Sequence, residues 1–462
     1  MYGRKKRTKG GFPVGDVIAA IATGKQISAI GIIRVSGDGC AEICNHVFRS
    51  LSQVSLSDAP NRKLILGSLL DRDGRVIDQV LAVYTRGPHS YTGEDTVEFQ
   101  CHGSPAVLAG GLDALFAAGA RQAGPGEFTK RAFLNGQMDL TQAEAVVDLI
   151  DAETIDAAAN AAGQVSGSLT KKITPIYESL RDMMSHFHAV LDYPDEEIEA
   201  FELQNYSDSL LSAREQLSDL LASFRRGQIL KKGIRTVILG KPNVGKSSLL
   251  NLLAGYERVI VTEIAGTTRD SVEESVLLGR QLLRLVDTAG IRESDDPIEC
   301  LGVSRSKEAV KSADLVLLLL DSSQPLTEED REALAISELC PKRILLYNKS
   351  DLDPKFQGKE GGIPFSAKTG EGLEELTRQV EELFGDASPC DGSLLSNTRQ
   401  AEALQTALEA LKRTLEGLNS GMTPDAVLCD AESAMESLGE VTGRTFREDI
   451  VNRIFERFCV GK

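Results

Sequence analysis

A chain of 462 residues is too long for one hydrophobic core, and its length suggests about three domains. Its 42% hydrophobic and 26% charged residues are those of a folded globular protein, and a net charge of −17 argues against passive nucleic-acid binding over the whole surface. A local basic patch on one domain stays compatible with that charge.

The N-terminus carries Arg4, Lys5, Lys6, Arg7 and Lys9, but Pro13, Gly15 and Asp16 interrupt the stretch after it, so the segment reads as a solvated basic tail and not a secretory signal. Residues 17–135 mix alternating apolar runs (30–35 and 76–84) with a helical stretch at 106–118, the pattern of an α+β domain. Cys101 and His102 adjoin there without further ligands and read as structural. From 141 to 227 the apolar spacing is helical, and Gly163, Gly167, Pro175 and Pro194 are its few breakers. Short apolar runs at 236–239, 282–286, 315–320 and 344–347 then alternate with helices, as in a doubly wound parallel sheet. The run at 315–320 is the most apolar in the chain and far too short to cross a bilayer, so no membrane association is expected. Helical periodicity resumes at Arg399, breaks at 417–424 and ends in a helix expected over 448–458. The predicted architecture is therefore a multidomain α/β and α protein: an N-terminal α+β domain (1–135), a discontinuous helical domain (136–231 and 389–462), and between its halves a doubly wound α/β domain (232–388). Eight scattered cysteines show neither zinc spacing nor disulfide density and fit a reducing cytoplasm.

The chemistry is concentrated in the α/β segment. Residues 240–247 match G-x-x-x-x-G-K-S between a predicted strand and a predicted helix, the context in which backbone N–H groups converge on phosphate, Lys246 reaches the β/γ-phosphates and Ser247 ligates Mg²⁺. Asn348, Lys349 and Asp351 form N-K-x-D after the strand at 344–347, and the Asp351 carboxylate can accept from guanine N1–H and the 2-amino group together, a pairing adenine cannot supply. Ser366, Ala367 and Lys368 supply a loop for guanine O6. Asp287, Thr288, Ala289 and Gly290 come after the strand at 282–286, near Mg²⁺ and the γ-phosphate, and Thr267 and Thr268 lie where a switch threonine, assigned as Thr268, caps Mg²⁺. The expected GTP contacts also take in Asn243, Val244, Gly245, Ser248, Thr262, Glu263, Ile264, Ala265 and Gly266. After Asp287-Thr-Ala-Gly290 stands Ile291, which cannot orient water, so hydrolysis must use another group. Glu299 is the best candidate, and the lesser reading by spacing alone is one more solvated acid. In this order the motifs mark residues 232–388 as a Ras-like G domain.

Several further stretches resemble one family: residues 32–37 (IIRVSG), 91–95 (YTGED), 125–129 (PGEFT), 131–136 (RAFLNG), 192–197 (DYPDEE), the GTTRD loop at 266–270 and the terminal FCVGK at 458–462. With the order of domains, they are similar to the MnmE (TrmE) family, bacterial tRNA-modification GTPases, over nearly the whole chain. The resemblance implies a homodimer built on folate-binding N-terminal domains. It also implies an MnmG-type FAD protein as partner in a heterotetramer, and an aminomethyl-type group added to C5 of the wobble uridine of certain tRNAs, drawn from a 5-formyl- or methylene-tetrahydrofolate. Arg34, Glu98, Gln137 and Lys462 then correspond to folate contacts, and Gln137 departs from the family's basic residue. Asn243, Thr262, Ile264 and Thr267 correspond to ligands of a K⁺ that substitutes for an arginine finger, Glu299 to the catalytic glutamate, and Cys459 to the functional cysteine. Two plainer readings of Cys459 stand beside this: a buried apolar residue, or a C-a-a-X tail with poor residues at its last two positions. The competing functional class is a regulatory or ribosome-assembly GTPase without modification chemistry; the folate-like domain and the terminal cysteine favour the enzyme.

Overall fold

The computed structural model describes residues 16–24, 26–192, 200–256, 273–286, 307–353, 355, 361–385, 390–445, 448–456 and 458–461. They fall into two compact units. Met1–Val147, Val165–Glu199 and Arg413–Lys462 form the first, and Asp148–Gln164 with Ala200–Lys412 form the second.

In the first unit β1 (Ile18–Ile21), β2 (Ser28–Ser36), β3 (Phe48–Ser50), β4 (Leu64–Leu70), β5 (Val76–Thr85), β6 (Thr96–Gly103) and β7 (Arg121–Gln122) form one sheet in the order β3-β4-β5-β6-β2-β1-β7. Its pairings are antiparallel except β1 with β7. Alternation decides which face is covered. Ile33, Val35, Val80, Ala82 and Phe99 are buried with Cys44 of α1 (Cys40–Val47) and with Leu108 and Leu115 of α2 (Pro105–Ala117). The intervening positions Leu64, Leu66 and Leu81 stay 48%, 44% and 37% exposed, so the opposite face is open and apolar.

Charge fixes the edge of this unit. Arg131, on α3 (Glu127–Leu134), is fully buried and pairs with Glu94 at 2.9 Å and with Asp16 and Glu127 at 3.0 Å. Arg121 binds the same two outer carboxylates, Asp16 and Glu127, from the exposed side. Burial alone would raise the Glu127 carboxyl, but hydrogen bonds from Arg121, the Gly124 N–H and Arg131 outweigh it and hold the group down to about 2. The Asp16 carboxyl is lowered in the same way, chiefly by Arg121.

Helices far apart in sequence meet in this unit: α6 (Ser168–Asp192) packs on α13 (Pro424–Thr442). Pro175 lies inside α6 and does not end it, because Ile173, Ile176 and Leu180 on its apolar stripe are buried and hold the helix through the missing backbone bond. In the second unit Gly163 likewise lies within a helix, α5 (Ile155–Val165). The last helix, α14 (Glu448–Phe455), stops three residues short of the expected end. Phe458 turns back so that its ring centroid lies 5.1 Å from that of Phe455, and Val460 bridges Pro125. The turn depends on Gly126 at φ +60°, where a Cβ would stand 2.8 Å from that of Phe458.

The second unit holds β8 (Ile234–Leu239), β9 (Glu273–Leu278), β10 (Gln281–Val286), β11 (Leu315–Asp321), β12 (Arg343–Asn348) and β13 (Ile363–Pro364) in the order β13-β12-β11-β8-β10-β9, parallel apart from the β9–β10 hairpin. Every residue of β11 is buried, as a strand covered on both faces requires. One face packs Leu249 and Leu253 of α9 (Lys246–Tyr256) with Leu376 and Val380 of α11 (Leu373–Phe384); the other packs Val310 and Ile336, the latter on α10 (Glu328–Ser337). Successive parallel strands leave β8 in opposite directions, to β10 on one side and β11 on the other, so a crevice opens at the carboxyl ends of these strands.

Because the folded-state value of Glu127 lies below its ordinary 4.5, its stabilisation is complete above that pH and is lost as pH falls toward about 2. Hydrogen exchange read on peptides covering 121–135 should accelerate over that window, and Glu127→Gln should flatten the acid dependence.

Candidate functional site

The carboxyl end of β8 runs straight into the glycine loop and α9. Val244 is fully buried and roots the loop in the core, while Gly240, Asn243 and Gly245 take φ of 148°, 59° and 107°. Positive φ at these positions turns N–H groups to one side, the concave shape that receives phosphate oxygens at a helix N-terminus. Gly245 has no substitute, since a Cβ there would lie 2.2 Å from Asn348 Nδ2. The Lys246 ammonium lies along the loop and donates to the carbonyls of Gly240 (2.8 Å) and Lys241 (2.9 Å). Burial pushes its pKa down, so an arriving anion is favoured as a partner. Ser247 and Ser248 are exposed on the first turn of α9, and Lys241 is held from outside by Asp330 at 2.8 Å, within the capping box of α10.

Asn348 ends β12 at 2% exposure and joins two loops: Nδ2 donates to the Val244 carbonyl at 2.6 Å, and Oδ1 accepts from the Ala367 N–H at 2.9 Å. Lys349 comes next at φ 65° and is fixed by Asp321, at the end of β11, at 2.6 Å. Ser366 is buried and donates to Asp351 Oδ1 at 2.8 Å while accepting from the Thr369 N–H. Asp351 and Lys368 are exposed beside it. The structure thus gathers Asn243, Val244, Gly245, Lys246, Ser247, Ser248, Asn348, Lys349, Asp351, Ser366, Ala367 and Lys368 at one edge of one sheet. Sequence reasoning missed Asp321 and the linking role of Asn348, since both act through partners far away in the chain. Thr262, Glu263, Ile264, Ala265, Gly266, Thr267, Thr268, Asp287, Thr288, Ala289, Gly290, Ile291, Glu299 and Lys462 lie outside the described residues.

A second cluster sits on the open face of the first unit. Arg34 on β2 donates to Glu98 on β6 at 2.7 Å, across directly paired positions. Its guanidinium lies 5.2 Å from the ring centroid of Tyr91 and 5.7 Å from that of Phe128, and the Tyr91 hydroxyl is 2.9 Å from Thr129 Oγ1. Both aromatic residues stand in stretches that carry the family resemblance, yet nothing in the sequence pairs either with Arg34. Gln137 is exposed, and its side chain lies beside Gly93, two residues from Tyr91. Cys459 is exposed, not buried as a packing cysteine would be, and its carbonyl accepts from the Gly126 N–H at 3.3 Å. The tail is therefore tied to the loop that leads into the helix carrying Phe128. His102 pairs with Asp78 at 2.7 Å, burial pushes the Cys101 thiol up to about 12, and no metal-binding group of three ligands occurs among the described residues. Nor is any described helix long and apolar enough to cross a membrane.

A glycine loop opening a helix on a doubly wound sheet, locked to an N-K-x-D loop at the same edge, defines a P-loop GTPase. Two family models match: the GTP-binding protein TrmE N-terminus over residues 17–137 and the MnmE helical domain over residues 140–459. The chain is 41% identical to the tRNA modification GTPase MnmE of Heliobacterium modesticaldum, with 97% of this chain aligned to 100% of that one, and 43% identical to that of Symbiobacterium thermophilum over 97% and 99%. The protein of that name from Clostridioides difficile is 41% identical over 97% and 100%. The chain belongs to the MnmE family of tRNA modification GTPases.

Asn348→Ala would leave the Val244 carbonyl and the Ala367 N–H buried without partners, at about 1–3 kcal/mol each. Calorimetric titration should show GTP affinity at least tenfold weaker, with a lowered melting temperature; wild-type affinity would mean that other contacts hold these loops.

Proposed function

We infer that this chain hydrolyses GTP in the course of tRNA modification. The observation that carries the reading is the Asn348 lock between the phosphate loop and the base-side loop, in a chain whose family membership spans nearly its full length. Within that reading Lys246 meets the β/γ-phosphates, with Asp287 and Gly290 at the Mg²⁺ and γ-phosphate side. Asp351 reads the guanine N1–H and 2-amino group, and the loop of Ser366, Ala367 and Lys368 meets O6. Ser247 and Thr268 hold Mg²⁺, which fits a hydroxyl exposed on the first turn of α9. Ile291 leaves the positioning of water to Glu299. Asn243, Thr262, Ile264 and Thr267 offer oxygen ligands for K⁺, whose charge offsets that developing on phosphate.

On the N-terminal domain, Arg34 and Glu98 with the nearby Tyr91 and Phe128 combine ionic groups and ring faces, a donor set that suits a pterin bearing a carboxylate tail. We assign folate to this cluster, with Gln137 and Lys462 as further contacts, and the modification chemistry to Cys459, an accessible thiol anchored to the same domain. The open apolar face bearing Leu64, Leu66 and Leu81 supports a homodimer through the N-terminal domains. An MnmG-type FAD protein completes the cytoplasmic complex that adds the aminomethyl-type group to C5 of the wobble uridine.

The test is mass spectrometry of tRNA nucleosides from a deletion strain. Wild type should restore the modified wobble uridine. Cys459→Ser should leave it unmodified while the purified variant still hydrolyses GTP, faster in K⁺ than in Na⁺. Full restoration by Cys459→Ser would make the thiol structural, and equal rates in the two cations would remove K⁺ from the scheme.

A further inference from the structure

Residues 225–235 contain Arg225, Arg226, Lys231, Lys232 and Arg235 and not one Asp or Glu, in a chain with 68 acidic against 51 basic side chains. The first four lie on α8 (Phe224–Lys232). Arg225 and Arg226 line an open cleft of about 600 Å³ within the second unit, joined there by Arg280 from the β9–β10 turn and Lys342 from the residue before β12. Four cations face two carboxylates, Asp156 and Glu381. Asp156 is taken up by Arg280, at 2.6 and 3.0 Å. The Lys342 ammonium donates to the Leu383 carbonyl at 2.6 Å and lies 3.9 Å from the Phe384 ring centroid, and neither of these two partners carries a full negative charge. Burial, and then the nearby charge of Arg225, push Lys342 below its ordinary value.

Holding Arg225 close to Lys342 costs the fold electrostatic energy, and a bound polyanion relieves it. A single small phosphate would need only the cleft. Past the cleft Lys231 is held by Asp148 at 2.6 Å, but Lys232, two turns on from Arg225 and so on the same side of α8, is exposed about 10 Å further along the axis by the rise per residue, and Arg235 at the start of β8 is exposed as well. That reach spans successive phosphates of one strand. We propose that this cleft and the side of α8 that carries Arg225 and Lys232 bind the phosphate backbone of the RNA substrate. The assignment rests on the reading of the chain as a tRNA-modifying GTPase, and it accounts for how so acidic a protein handles a polyanion.

The experiment is fluorescence anisotropy of a labelled tRNA transcript with the full chain, titrated over a range of salt. Arg225→Gln with Lys342→Gln should weaken binding roughly tenfold and reduce the slope of log affinity against log salt by about 1–2, with GTP turnover unchanged. Arg225→Glu alone alters only an exposed side chain and should weaken binding in the same direction, which keeps the test valid if the double variant misfolds. Wild-type RNA affinity in the Arg225→Glu variant, or no tRNA binding by the wild-type chain, overturns the proposal. So does a result in which the variants lose displacement by inorganic pyrophosphate but keep RNA, since the cleft would then be a small-anion site. Restoration of the wobble nucleoside by wild type is read separately, so failure of the RNA site is distinguishable from failure of the functional reading.

Discussion

The nucleotide site depends on one buried amide. Asn348 is the last residue of β12, yet its side chain spends its donor on the phosphate loop after β8 and its acceptor on the loop after β13. The sheet sets the three chain segments at a common edge, but parallel strands leave their carboxyl-end loops mutually independent. A side chain at 2% exposure with both functions satisfied converts three loops into one surface, because breaking either bond strands a buried polar group. Everything nearby respects that lock. Gly245 is glycine because any Cβ would strike the amide, and the strained φ of Lys349 is held by its ion pair with Asp321, so that Asp351 can reach Ser366.

The N-terminal domain solves a different problem with charge. Two arginines look alike in sequence and differ in use. Arg131 is sealed among Asp16, Glu94 and Glu127, where it joins the segment before β1, a loop and a helix. Arg34 keeps one carboxylate partner and two aromatic faces on the open side of the sheet, so it remains able to meet a ligand. Burial and the number of carboxylates separate an arginine closed into the fold from one left open to a ligand.

Local signals made much of this legible in the sequence. Period-two alternation placed β5 to within one residue and β2 to within two, the apolar run placed β11, and glycine spacing placed the phosphate loop. The expected helix over 448–458 failed at Phe455 because the turn is decided by Gly126, more than three hundred residues upstream. Pro175 and Gly163 looked like breakers because propensity is local, and tertiary packing overrides it in α6 and α5. The Arg131 network, the rings beside Arg34 and the reach of Asn348 share the same cause: each partner is remote in sequence, and no short pattern records the pair.

If the lock on Asn348 places Asp351 to read the base, then exchanging one pairing function should exchange the base. Asp351→Asn replaces an acceptor of guanine's 2-amino group with an amide that can donate to the 2-carbonyl of xanthine. The measurement is hydrolysis of GTP and XTP by the wild-type chain and by Asp351→Asn, each nucleotide alone and in competition. The account predicts that the variant loses GTP and turns over XTP, while wild type does the reverse. An Asp351→Asn variant that still prefers GTP, at the wild-type rate, would contradict it.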